Sequence, residues 1–388
     1  MISKYPLATS TWDALETEAM REIIDSGQLT MGSKVKAFEE NFAKKFGAKY
    51  AVMVNSGSSA NLLMIASLFY TNENYKLKRG DEVIVPAVSW STTYYPLYQY
   101  GLRLKFVDIN LETLNYDIEE LKKAVDSKTK AILAVNLLGN PNDYDEIRKI
   151  ADERNILLLE DNCESMGAKY KGTYAGNIGI MGTFSTFFSH HISTMEGGVI
   201  LTNSEELYQI LISLRAHGWT RNLPEKNLLT GLKSSDQFEE SFKFILPGYN
   251  VRPLELSGAI GLCQLEKLDS IVAARRENAR KFQSMMSTKA QYHTQLEIGE
   301  SSWFGFSIIL KDTCTFSRAE IINKLVANGI EVRPIVAGDF TKNKVIDFFD
   351  YEKFGELKNA AKLDKNGFFV GNHHYPIDNY LTLLDSVL

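Results

Sequence analysis

Ala51-Val52-Met53-Val54-Asn55-Ser56-Gly57-Ser58-Ser59-Ala60-Asn61 decides the fold: four apolar residues in a row, a small polar turn, then the start of a helical pattern. A run that is apolar at every position is what a strand covered on both faces presents. Similar runs recur at Val83-Ile84-Val85, Leu104-Lys105-Phe106-Val107, Ala131-Ile132-Leu133-Ala134-Val135 and Ile156-Leu157-Leu158-Leu159. Between them, Ser59–Leu68, Ile118–Ala124 and Tyr144–Arg154 read as helices. Such alternation predicts right-handed crossovers and an α/β fold on a mostly parallel sheet. Near Pro253 the pattern changes. A long helical stretch, Leu254 to Met285, leads into the more alternating Trp303–Leu310 and Ile330–Ile335. The expected organisation is a large α/β domain over 1–253, then a bridging helix and a smaller α+β domain over 254–388. Ligands of open parallel sheets sit at the carboxyl ends of strands. The residues that carry chemistry should therefore follow the apolar runs.

Bulk composition removes several function classes. The 388 residues include 43 basic and 48 acidic side chains, a formal charge of -5, so no global field favours nucleic acid or an anionic membrane. Three cysteines, Cys163, Cys263 and Cys314, lie far apart with no CxxC pair, which argues for a reducing compartment and against a disulfide framework. The N-terminus shows no apolar run of a signal peptide, and no stretch is long enough for a membrane span. A cytoplasmic enzyme with no membrane or nucleic-acid partner is the expectation.

Four stretches stand out. In Asn55–Asn61, small residues at a helix N-terminus let backbone N–H groups approach an anion, and serine hydroxyls could complete a phosphate cup; an ordinary serine cap is the plainer reading. Pro86-Ala87-Val88-Ser89-Trp90 sets a large ring at a strand end, either as a lid on a flat ligand or as simple packing. Glu160-Asp161-Asn162-Cys163-Glu164 delivers an aspartate to a strand end, which is costly unless a cation meets it or it caps a helix. Gly182 to Gly198 alternates small polar and aromatic residues, reaches Ser189-His190-His191, and ends in Glu196-Gly197-Gly198. Two adjacent histidines could bind metal, but no carboxylate or cysteine stands at ligand spacing, so no metal is expected.

Taken in order, strand–SGSSA–helix, PAxSW, EDNxE and FSTFFSHHxxxxEGG resemble the sugar aminotransferase family of pyridoxal-phosphate enzymes, with the aspartate aminotransferase (type I) fold. Ala216-His217-Gly218, Gly248-Tyr249-Asn250-Val251-Arg252-Pro253 and Gly329-Ile330-Glu331-Val332-Arg333-Pro334 extend the likeness over nearly the whole chain. The resemblance implies a seven-stranded, mostly parallel sheet. It also implies a lysine between the serine and the Glu-Gly-Gly that anchors the cofactor. Here His190 stands in that place, and the nearest lysines, Lys171 and Lys226, do not fit the landmarks.

Histidine at the lysine position resembles the sugar 3-dehydratases of this family, in the form that lacks an iron–sulfur cluster, since scattered cysteines cannot supply four thiolates. An imidazole cannot tether the aldehyde, but with an ordinary pKa of about 6.5 it can carry protons near neutrality. The resemblance implies noncovalent pyridoxal 5'-phosphate, converted to pyridoxamine 5'-phosphate by L-glutamate. It implies as substrate a nucleotide-linked 4-keto-6-deoxy sugar that loses its C3 hydroxyl with His190 as the acid–base catalyst. Overall likeness points to GDP as the carrier and to 3,6-dideoxysugar (colitose) and O-antigen synthesis, although no motif distinguishes guanine from other bases. By the same resemblance Asp161 pairs with the pyridine nitrogen and Trp90 stacks on the ring. Gly57, Ser58 and Ser185 hold the phosphate, Ser189 assists, and Glu164 belongs to the cofactor site. Asn250 reaches in from the other subunit of a homodimer, while His217 and Arg252 meet co-substrate carboxylates. His191 is expected to be structural. A sugar aminotransferase, or a non-catalytic relative that only binds, are the competing readings.

Overall fold

The computed structural model describes residues 4–388. The apolar runs form five strands of an open sheet, β1 (Tyr50–Val54), β2 (Glu82–Pro86), β3 (Arg103–Val107), β4 (Thr129–Val135) and β5 (Leu157–Asp161), which β6 (Met181–Ser185) and β7 (Gly198–Thr202) join. In the C-terminal part come β8 (Tyr292–Thr294), β9 (Gly305–Leu310), β10 (Val332–Arg333), β11 (Tyr351–Lys353) and β12 (Gly367–Gly371). The main sheet runs β1-β7-β6-β5-β4-β2-β3-β11. All its pairings are parallel except those of β7, which is antiparallel to both β1 and β6. The helices Gly57–Ser67, Ile118–Ala124 and Tyr144–Arg154 occupy the expected places between strands.

The sheet thus has eight strands, not the expected seven. The extra one, β11, comes from the far side of residue 253 and pairs in parallel with β3 through Tyr351, Glu352 and Lys353. It lies at the sheet edge, where one side needs no apolar cover, so its polar residues gave no strand signal.

The helix Glu255–Met286 joins the two parts. Leu265, Leu268, Ile271 and Val272 pack with Phe38, Phe42 and Phe46 of the helix Ser33–Phe46. Farther along, Ala279, Phe282 and Met286 enter a second core with Trp303 and Phe306. Phe282 and Phe306 stack there with centroids 4.2 Å apart. That core lies on a four-stranded antiparallel sheet, β8-β9-β12-β10. At the start of the long helix, buried Glu255 accepts the N–H groups of Gly32 at 2.6 Å, Lys34 at 2.6 Å and Val35 at 3.2 Å. One carboxylate so caps the neighbouring helix Ser33–Phe46, whose first amides have no partners within the helix. No helix among the described residues is long and apolar enough to cross a membrane.

Candidate active site

The carboxyl ends of β2, β4, β5 and β6 and the start of the helix Gly57–Ser67 open onto one cavity of about 810 Å³. Eight of the residues singled out from the sequence line it: Gly57, Ser58, Trp90, Asp161, Glu164, Ser185, Ser189 and His190. The parallel sheet brings them together because each follows a strand.

The floor beside β1 is built by close approach. Ser56 caps the helix, accepting the Ser59 N–H at 3.0 Å. A Cβ on Gly57 would lie 2.7 Å from Ser185 Cβ and 3.0 Å from Cys163 Sγ, so only glycine fits. Ser58 donates to Thr92 Oγ1 at 2.9 Å, tying the cup to the helix that Trp90 begins. Trp90 itself is 59 % exposed, a broad apolar face turned to the cavity mouth.

Asp161 is buried and fixed by three donors. Asn61 Nδ2 and Thr93 Oγ1 reach Oδ2 at 2.9 and 2.7 Å, and the Cys163 N–H reaches Oδ1 at 3.1 Å. Thr183 in turn donates to Asn61 Oδ1 at 2.6 Å, which sets the amide's orientation. No cationic side chain pairs with Asp161 among the described residues. Three neutral donors and a place in the cavity wall leave its carboxyl group room for a cationic ring nitrogen. Glu164 accepts the Leu138 N–H at 3.0 Å. Burial, opposed by that hydrogen bond and reinforced by nearby Asp161, pushes its carboxyl up to about 7. Cys163, between the two carboxylates, is held a thiol, its pKa raised well above the ordinary value first by burial and then by Asp161.

His190 lies on the turn after β6, its N–H donating to Phe187 O at 2.9 Å. Burial first, and the charge of Arg275 second, push its imidazole down to about 4, well below the value of about 6.5 assumed from the sequence. The ring is neutral at physiological pH and ready to accept a proton. Nδ1 is buried without a partner among the described residues. His191 points elsewhere: fully buried, its Nε2 meets Ser302 O at 3.0 Å. No lysine is among the residues lining the cavity.

His217, Asn250 and Arg252 do not line this cavity. They form a separate cluster. Arg252 Nε donates to Asn250 Oδ1 at 3.0 Å, the Arg252 guanidinium lies 5.9 Å from the Trp219 ring, and His217 packs on that ring at 4.7 Å. Other cavity residues were not singled out from the sequence. Asn61, Thr93 and Phe304 carry no local signal of their own; Glu331, just before β10, and Arg333 within it belong to the run Gly329–Pro334.

Residues 11–375 match the DegT/DnrJ/EryC1/StrS aminotransferase family. The chain belongs to this family. Among curated DegT/DnrJ/EryC1/StrS-like relatives, it is 60% identical over 385 residues to GDP-4-keto-6-deoxy-D-mannose 3-dehydratase of Yersinia pseudotuberculosis, covering 99% of this chain and 98% of that protein. A crystal structure of GDP-4-keto-6-deoxymannose-3-dehydratase, as a histidine-to-asparagine mutant with bound GDP-perosamine, matches with TM-score 0.98 and 60% identity over 99% of this chain and 100% of that one. Another, with a trapped PLP-glutamate geminal diamine, matches with the same TM-score of 0.98, 60% identity and the same coverage of 99% and 100%. The α/β aminotransferase fold expected from the sequence is therefore the fold of this chain.

Proposed function

We propose that this family member is a sugar 3-dehydratase that removes the C3 hydroxyl of GDP-4-keto-6-deoxy-D-mannose with pyridoxal/pyridoxamine 5'-phosphate held noncovalently. The observation that carries the reading is His190 on the cavity wall, with a proton-accepting imidazole and no lysine beside it. The relatives named above support the substrate class, the cofactor and glutamate as amino donor.

The residues present fit such a cofactor. Gly57, Ser58, Ser185 and Ser189, with the first amides of the helix Gly57–Ser67, make an anion cup suited to a phosphate. Asp161 suits a protonated pyridine nitrogen, and Trp90 offers a face for the ring. Glu164, held at the neutral edge by its pKa near 7, can donate as well as accept within the same site. When bound, the amine form of this cofactor supplies a nitrogen that condenses with a ketone and a conjugated ring that accepts electrons. The protein's own part is proton management. His190 takes a proton through Nε2 and returns it to the oxygen that leaves C3; its low pKa keeps the resting ring in the unprotonated form the first act needs and favours release of the proton in the second. An imidazole exchanges protons yet forms no stable link to an aldehyde, so the cofactor depends on the cup, Asp161 and Trp90.

His217, Asn250 and Arg252, away from the cavity of their own chain, suit a homodimer in which they complete the partner's site. There Asn250 would reach the phosphate, and Arg252 and His217 the co-substrate carboxylates. The product class, a 3,6-dideoxy-4-keto sugar, fits colitose and O-antigen synthesis in the cytoplasm.

The deciding experiment supplies purified protein with cofactor, glutamate and several nucleotide-linked 4-keto-6-deoxy sugars, and identifies products by mass spectrometry. A deoxy keto sugar with stoichiometric ammonia is expected, with the GDP-linked sugar turned over fastest. An amino sugar would establish the aminotransferase reading instead. No conversion of the aldehyde to the amine absorbance band by glutamate would leave only a binding protein.

A further inference from the structure

Catalytic imidazoles are ordinarily oriented by a hydrogen bond at the nitrogen that does not react. His190 has none, because its buried Nδ1 finds no partner among the described residues. What meets the ring is aromatic. Phe304 lies 5.2 Å away, tilted by 57°, and Phe187 lies 6.0 Å away, edge-on at 78°. Phe187 is 38 % exposed, and the ring beside it, Phe188, is more exposed still.

Phe304 is differently placed. Its N–H donates to Leu138 O at 3.0 Å, and its carbonyl accepts from Arg275 Nη1 at 2.9 Å. The strap leading to it is fastened at each residue. Ser302 N–H donates to Gly139 O at 2.9 Å, Ser302 O meets His191 Nε2 at 3.0 Å, and Trp303 O accepts from Asn372 Nδ2 at 2.9 Å. Trp303 sits at φ 49°, a conformation a bulky residue adopts only under constraint. A Cβ on Gly139, the strap's other bank, would lie 2.5 Å from Trp303 N. This much fastening holds one ring against one imidazole.

We propose that Phe304, clamped by Arg275 and the Leu138 carbonyl, is the positioning residue of the His190 imidazole. The inference rests on His190 being the proton carrier proposed above. Arg275 adds a second influence. It is 4 % exposed and makes no ion pair among the described residues, so its charge is uncompensated beside the two histidines. The other titratable groups around His190 are His191 next in chain, Asp161, Cys163 and Glu164 after β5, Glu196 before β7, and Glu331 and Arg333 near β10. Burial and, after it, the charge of Arg275 oppose imidazolium. Packing fixes where the ring stands, and these two influences hold it in the neutral form, which can take a proton and then gives it up readily.

The test combines single-turnover dehydration, using enzyme preloaded with the amine form of the cofactor, with NMR titration of histidine-labelled, cofactor-free protein. The His190 resonance is assigned by its loss in His190→Asn. Phe304→Leu is expected to slow single turnover about 10- to 100-fold, as a misplaced group does, with KM for the sugar within about threefold. Phe304→Tyr should restore most of the rate. Arg275→Met should raise the His190 titration midpoint by about one unit or more and move the acid limb of the rate profile with it, while Arg275→Lys should leave both near wild type. Should Arg275→Met fail to fold, the Phe304 pair and Arg275→Lys still decide the matter. A wild-type turnover rate in Phe304→Leu overturns the proposal, as does an equal loss in Phe304→Leu and Phe304→Tyr accompanied by a raised KM. His190→Asn separates the two levels. If it still dehydrates, the reading beneath fails; if it is inactive while Phe304→Leu is normal, only the positioning role fails.

Discussion

Asp161 and Glu164 already have fixed hydrogen-bond partners within the chain, whereas Asn250 is exposed and Arg252 meets Asn250 and an aromatic ring. Around the cavity, glycines and short side chains bring strand ends into contact. Around the segment Ala216 to Arg252, Phe242 and Phe244 are more than half exposed at 67 % and 55 %. The two regions are nevertheless joined. The Asn55 N–H donates to Val251 O at 3.0 Å, the Val251 N–H to Arg215 O at 3.1 Å, and buried Arg215 pairs with Glu39 and reaches Met53 O at 2.6 Å. The segment that carries Asn250 and Arg252 is therefore anchored to the turn that follows β1, at the cavity floor. A preformed cavity and an outward arm on one rigid base are what a two-fold assembly with shared sites needs.

The comparison breaks most sharply at His190. His190→Asn is expected to cut dehydration by about 10² to 10⁴-fold, the usual weight of one acid–base group, while cofactor binding followed by absorbance stays within a few-fold. Near-normal turnover would remove His190 from its role. Next in size is the cup. Gly57→Ala drives a methyl to 2.7 Å from Ser185 Cβ, and a cost of about 1–3 kcal/mol, or roughly 10- to 100-fold in cofactor affinity, is expected by equilibrium dialysis. Unchanged affinity would mean that the anion site lies elsewhere.

The arm is tested by complementation. Arg252→Ala homodimers are expected to lose about tenfold or more in glutamate-driven amine loading, the weight of a charge-assisted hydrogen bond. Mixing Arg252→Ala with His190→Asn chains should restore activity, since one site of each hybrid is then intact; no restoration would place Arg252 in its own chain's site. A further effect is on stability, apart from turnover. The folded pKa of His190, about 4, lies below its unfolded value, so the folded state binds fewer protons and stability is lost as pH falls from about 6.5 to 4. Glu164, raised to about 7, has the opposite sign and loses its contribution as pH rises toward 7. His190→Asn should therefore flatten the acid side of the cofactor-free protein's unfolding profile by up to about 3 kcal/mol, measured by denaturant titration. An unchanged acid slope would show that the imidazole is not held neutral by the fold.

How much of this was legible in sequence follows from which forces are local. β1 to β5 announced themselves because strands buried on both faces are almost wholly apolar, and residues just after β1, β2, β4 and β5 line the cavity as the topology requires. β11 stayed hidden because an edge strand of Tyr, Glu and Lys has no apolar run to show. β7 sits next to a motif read for its glycines, and Gly198 is needed because a Cβ there would lie 2.3 Å from Ser56 O. Asn61 and Thr93 orient Asp161 across 100 and 68 residues of chain, a pairing that no local spacing encodes. The lowered pKa of His190 was equally invisible, since it comes first from burial and then from Arg275, a residue 85 positions away in the chain. What sequence did expose was an imidazole where a tether belongs.

That point can be measured directly. The protein is loaded with one equivalent of pyridoxal phosphate, reduced with borohydride, denatured and weighed by intact-mass spectrometry. The account predicts the unmodified mass, with the reduced cofactor released free, and predicts that His190→Lys alone becomes labelled, at residue 190. Stoichiometric labelling of one lysine in the wild-type chain would contradict it.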